Sequence, residues 1–136
     1  MTFGCLLDGK AFTKGSGQNP LDCVYQFVDG GYYFSLQANR EIIQQFVALG
    51  CSTQRLQIVE GNTYQLKEKS DGNAYGKYFF EENPMITYTS TIHQGELKIT
   101  KLTNQIVSGT FWYDIQDMDG VVHQIRDGRF DVYYIN

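Results

Sequence analysis

Basic residues are sparse in this 136-residue chain, and none are clustered. Eleven Lys and Arg stand against fifteen Asp and Glu, a net charge of −4. A nucleic-acid binder needs a basic patch to neutralise phosphates, so nucleic acid is not an expected partner. No apolar run approaches the roughly 20 residues that cross a bilayer as a helix, and no hydrophobic segment opens the sequence as a signal peptide does. A secreted precursor sheds such a segment, so this absence assigns no compartment. Proline occurs only twice, beside fourteen Gly, ten Tyr and nine Phe. That balance describes a folded, turn-rich protein and excludes a disordered one.

Histidine and cysteine are scarce too. The three cysteines, Cys5, Cys23 and Cys51, include no Cys-x-x-Cys pair, and His93 and His123 lie far from them in sequence. No metal site or cofactor is therefore expected. The odd count leaves at least one thiol free. Burial as small hydrophobes is the leading expectation, and one disulfide among three pairings is the alternative. No Ser or Cys stands in a nucleophile elbow, so no catalytic residue is assigned.

Alternation of apolar and polar residues fills most of the chain. The runs Glu96–Thr100, Ile106–Ile115, Val121–Arg126 and Arg129–Ile135 read as consecutive antiparallel strands. Earlier runs read the same way: Phe3–Leu7 and Lys10–Phe12 around Asp8-Gly9, Cys23–Val28 and Tyr32–Ala38 around Asp29-Gly30-Gly31, then Arg55–Val59, Thr63–Lys67, Tyr75–Glu81 and Met85–Ile92. Between Arg40 and Leu49 the apolar residues Ile42, Ile43, Phe46, Val47 and Leu49 fall closer to a helical stripe. With Asn39 as N-cap and Gly50 as stop, one short helix is expected near residues 40–49, a strand being the alternative. The fold class is therefore all-β, mainly antiparallel. A β-sandwich or partly open β-barrel of about ten strands is expected, as a single domain over residues 1–136.

Asp127-Gly128 is expected to close the last hairpin, with Arg126 opposite Arg129. One face then holds Val121, His123, Ile125, Phe130, Val132 and Tyr134 as core, and the other holds Arg126, Arg129, Asp131 and Tyr133. In the preceding strand Val107, Gly109, Phe111, Tyr113 and Ile115 point inward, opposite Ser108, Thr110, Trp112 and Asp114.

The stretches Phe3-Gly4-Cys5-Leu6-Leu7-Asp8-Gly9-Lys10, Gly95-Glu96-Leu97-Lys98-Ile99-Thr100-Lys101-Leu102, Ser108-Gly109-Thr110-Phe111 and Gly128-Arg129-Phe130-Asp131-Val132 together resemble a family of Bacteroidetes cell-envelope lipoproteins without an established activity. The resemblance covers roughly the first ten and last forty residues. It implies an all-β domain, secreted and lipid-anchored in its precursor, and it carries no catalytic residue. The chain departs from that pattern in lacking a lipobox, since no apolar segment precedes Cys5.

Aromatics on nominally polar faces are the main functional signal. Tyr33, Trp112 and Tyr133 break the alternation and offer flat surfaces with a polar tip, suited to a glycan, a protein or a small partly apolar molecule. Arg126 and Arg129 form a candidate anion site. His123, in an apolar register, is expected to be a structural histidine bonded to a neighbouring Tyr or a backbone carbonyl. Asp117-Met118-Asp119-Gly120 lacks the later ligands of a calcium loop and reads as a hairpin turn. The preferred function is a non-catalytic binding or accessory module of the cell envelope. The alternative is a hydrolase-like enzyme using His123, with Asp131 or Glu81, in a barrel mouth.

Overall fold

A computed structural model of the protein describes residues 1–136, with all side chains except that of Asn83. Eleven strands form one curled, mostly antiparallel half-barrel sheet: β1 Thr2–Leu7, β2 Lys10–Thr13, β3 Leu21–Val28, β4 Gly31–Ile42, β5 Gln45–Gln54, β6 Thr63–Leu66, β7 Asn73–Phe80, β8 Asn83–Tyr88, β9 Gly95–Leu102, β10 Ile106–Gln116 and β11 Val122–Tyr133. The order across the sheet is β2-β1-β11-β10-β9-β6-β7-β5-β4-β3, with β8 added beside β7. Only the short β6–β7 pairing is parallel among these strands. The C-terminus draws the curl together: Tyr25 N–H donates to Ile135 O (2.8 Å) and Ile135 N–H to Cys23 O (3.0 Å). On the same open side, Gly15 N–H donates to Asn39 O (2.8 Å).

Among the described residues there is no helix. The segment expected to be helical, residues 40–49, is the hairpin of β4 and β5, closed by Ile43-Gln44 between paired Ile42 and Gln45. Both turn residues have positive φ, 50° and 64°. This is the same two-residue geometry that Asp8-Gly9 and Asp29-Gly30 adopt. Residues 40–49 look helical because Ile42 and Ile43 stand exposed at the turn while β5 beyond it is buried on both faces, so apolar residues do not alternate with polar ones. The expected strand at Arg55–Val59 is instead irregular. Its alternation is genuine, with Ile58 buried, but it forms no ladder: Leu56 N–H donates to Tyr32 O (3.0 Å) and Ile58 N–H to the Tyr25 hydroxyl (3.1 Å).

The last expected hairpin is also different. β11 runs straight through Asp127-Gly128, which forms a bulge against both neighbours: Phe111 pairs with Gly128 and Tyr113 with Ile125, while Gly4 pairs with Arg129 and Leu6 with Arg126. The true turn is Asp117–Gly120, with Gly120 at φ 84° and the Asp117 carboxylate accepting from the N–H groups of Asp119 and Val121. A one-residue bulge reverses side-chain parity just as a two-residue hairpin does. Ile125, Phe130 and Val132 are therefore buried as expected, although Arg126 and Arg129 are not opposite each other. Gly128 cannot carry a side chain here, because a Cβ would lie 2.5 Å from the Phe111 ring.

The inward set of β10 is buried throughout. At its centre Tyr113 reaches across the barrel: its hydroxyl accepts from Gly50 N–H (3.1 Å) and faces the carbonyls of Lys77 (2.8 Å) and Gly50 (3.0 Å). All three cysteines are buried and unbridged. Burial pushes the thiols of Cys5 and Cys23 up to about 12, so neither is a nucleophile at neutral pH.

Candidate functional site

The outer face of β9, β10 and β11 carries a groove of about 620 Å³, lined by Thr63, Glu96, Lys98, Thr110, Trp112, Arg126, Asp127 and Arg129 among others. A second depression of about 380 Å³ adjoins it, sharing Thr63, Glu96 and Trp112 and adding Gln65 and Gln94. Strand register builds this surface as two rows. Gln65, Glu96 and Trp112 lie side by side on β6, β9 and β10. Thr63, Lys98, Thr110 and Arg129 lie side by side on β6, β9, β10 and β11. Rows two residues apart on one face are separated by about 7 Å.

Trp112 is 38% exposed within this groove. The Arg126 guanidinium sits 5.2 Å from its ring and is fixed by the Asp114 carboxylate (2.7 Å). A cation held against an indole braces the ring and restricts its rotation. Arg126 is thus spent on Asp114 and Trp112, while Arg129 and Lys98 are exposed and, among the described residues, have no ion-pair partner. Of the expected site residues, the structure brings Trp112, Arg126 and Arg129 together. Lys98 and Thr110 complete the cluster but were not singled out from sequence, because only cross-strand register places them there.

The other two aromatics lie elsewhere. Tyr133 is 61% exposed but pairs with Ile106, six residues from Trp112 along β10 and about 20 Å away. Tyr33 is half-buried on β4, separated from β10 in the sheet by β9, β6, β7 and β5. The three rings do not form one patch.

His123 has different partners from those expected. Its Nδ1 lies 2.7 Å from an Asp8 oxygen and its Nε2 2.8 Å from an Asp117 oxygen, and its ring stacks on Tyr78 at 4.6 Å. Asp131 instead accepts from the Ser108 hydroxyl, and Glu81 from Phe46 N–H. An imidazole facing carboxylates at both nitrogens is held as the imidazolium, donating at each. Burial pulls its pKa down, but the hydrogen bonds to Asp8 and Asp117 outweigh that and leave it above the usual histidine value. Burial likewise pushes the Asp117 carboxyl up, and the His123, Val121 and Asp119 donors outweigh it, leaving the pKa below normal. Burial, and then the Asp117 and Asp8 charges, raise the Tyr78 phenol to about 12.

Beside this clamp lies the mouth of the half-barrel, a cleft of about 770 Å³ between the β1–β2 and β4–β5 hairpins. Phe12, Val47, Tyr78 and Phe80 are among its apolar walls, and Asp8, Lys10, Arg40 and Glu41 are its charged groups. Two of these four are engaged structurally: Asp8 with His123 and Gln124 N–H, and Arg40 with Thr13.

Among the described residues, no helix is long and apolar enough to cross a membrane. Comparison of the chain with protein-family models, with curated proteins and with solved structures gave no match.

Proposed function

We propose that this protein is a non-catalytic binding module whose ligand surface is the Trp112 groove, and that its ligand is a glycan. The observation that carries the reading is the exposure of an indole, braced from one side by Arg126, in a groove lined by Thr63, Gln65, Glu96, Lys98, Thr110 and Arg129. A flat apolar ring accommodates the C–H face of a sugar, and the surrounding hydroxyl, amide and charged groups match its hydroxyls. The mouth cleft is larger, but half of its charged groups already serve the fold. The groove's own polar side chains, other than Arg126 and the mutually bonded Gln65 and Gln94, are not engaged with neighbouring side chains. A place at the cell envelope rests on the sequence resemblance described above.

The enzyme reading centred on His123 is weaker on chemical grounds. An imidazolium that donates from both nitrogens to carboxylates has no lone pair with which to accept a proton. Affinity electrophoresis through gels containing neutral and acidic polysaccharides tests the binding reading. Retardation by at least one polymer is expected, and Trp112→Ala should abolish it while leaving the thermal midpoint unchanged. Retardation that persists undiminished in Trp112→Ala would remove the groove from consideration.

A further inference from the structure

The row Thr63, Lys98, Thr110 and Arg129 adds a second chemical requirement to the groove. Lys98 and Arg129 flank Thr110 on adjacent strands, so their Cα atoms lie about 10 Å apart. Both cations are exposed, and neither has a carboxylate within ion-pair distance among the described residues. Thr110 stands between them in the row and is itself exposed. Two unpaired cations bridged by a hydroxyl donor make a receptacle for one oxyanion group, because charge-assisted hydrogen bonds to carboxylate or sulfate are the strong ones.

We propose that Lys98, Thr110 and Arg129 form an anion subsite beside Trp112, and that the ligand of the groove is therefore an acidic polysaccharide. One sugar ring lies on the indole, and a carboxylate or sulfate group, on that ring or its neighbour, reaches the cation row about 7 Å away. The carboxylates of the groove do not oppose this arrangement. Glu96 belongs to the indole row, where it can accept sugar hydroxyls, and Asp127 occupies the bulge at the groove's edge. Arg126 takes no part in holding the anion, because Asp114 already neutralises it. The assignment rests on the glycan reading of the groove, and it moves the candidate anion site from Arg126 and Arg129 to Lys98 and Arg129.

Dextran, dextran sulfate and polygalacturonate of similar chain length are the probes, with binding measured by titration calorimetry at low and at physiological salt. The wild-type protein is expected to bind an acidic polymer roughly tenfold or more tightly than dextran, less so as salt screens the charges. Sulfate and carboxylate preference is read from the two acidic polymers. The double variant Lys98→Gln/Arg129→Gln should lose that advantage yet keep any dextran binding, whereas Trp112→Ala should weaken every polymer. Lys10→Gln/Lys14→Gln, which removes two cations outside the groove, should behave as wild type. Undiminished acidic-polymer binding by Lys98→Gln/Arg129→Gln overturns the subsite and leaves the glycan reading standing; undiminished binding by Trp112→Ala overturns both. Equal weakening by Lys10→Gln/Lys14→Gln shows diffuse charge attraction and also overturns the subsite. A single-stranded oligonucleotide that binds more tightly than either acidic polymer makes the groove a nucleic-acid surface and rejects the polysaccharide.

Discussion

Tyr113 and His123 show how far a single side chain can tie this sheet together. The Tyr113 hydroxyl, fully buried, is the acceptor for Gly50 N–H from the opposite side of the half-barrel. Tyr113→Phe keeps the ring and removes that acceptor, so a loss of about 1–3 kcal/mol is expected in urea unfolding. A midpoint equal to wild type would mean that Gly50 finds another partner. His123 joins the β1–β2 turn, through Asp8, to the β10–β11 turn, through Asp117. The histidine pKa is raised on folding, so its contribution is complete below the unfolded value near 6.5 and is lost as pH rises through the folded value. The Asp117 pKa is lowered, so its contribution is present above the unfolded value near 3.8 and is lost as pH falls through the folded one. The clamp should therefore be strongest between about pH 4 and 6.5. Unfolding midpoints measured from pH 4 to 9 should fall on the alkaline side, and His123→Ala should flatten that limb. An unchanged alkaline limb in the variant would place the pH dependence elsewhere.

Turns and bulges, more than strands, decided what could be read from the amino acids. Asp8-Gly9 and Asp29-Gly30 announce their hairpins because Gly and Asp tolerate positive φ. Ile43-Gln44 adopts the same geometry with residues that do not favour it, and Ile43, 92% exposed, gains little burial in exchange. A β-branched residue there is strained, and nothing in its chemistry marks a turn, so the surrounding apolar residues suggested a helix. Ile43→Asn with Gln44→Gly should relieve the strain and stabilise the protein by about 1 kcal/mol, read as a raised urea midpoint. A lowered midpoint would show that Ile43 makes contacts worth more than its backbone costs. At Asp127-Gly128 the inside–outside pattern was legible but the topology was not, since bulge and hairpin reverse parity alike. Phe111, packed on that bulge, was identifiable as core. Phe111→Ala should cost about 3–5 kcal/mol, and an unchanged denaturation midpoint would contradict its placement.

Across the protein, the two concave surfaces differ in what their polar groups are free to do. The mouth cleft draws its walls from hairpins whose Asp8 and Arg40 are already engaged, and the outer groove presents Lys98, Thr110 and Arg129 without partners. Trp112 was legible as a ring on a polar face. Arg129 was legible as a candidate cation and Thr110 as outward on the strand of Trp112, but Thr63 and Lys98 were not, because only cross-strand register sets them in one row with these two. As the only tryptophan, Trp112 supplies a single indole N–H resonance. Titrating 15N-labelled protein with an acidic oligosaccharide should shift that resonance together with the backbone amides of Lys98, Thr110 and Arg129, while Asp8, Lys10, Val47 and Tyr78 stay in place. An indole signal that does not move at saturating ligand, or shifts confined to the mouth cleft, would contradict the assignment of the groove as the binding surface.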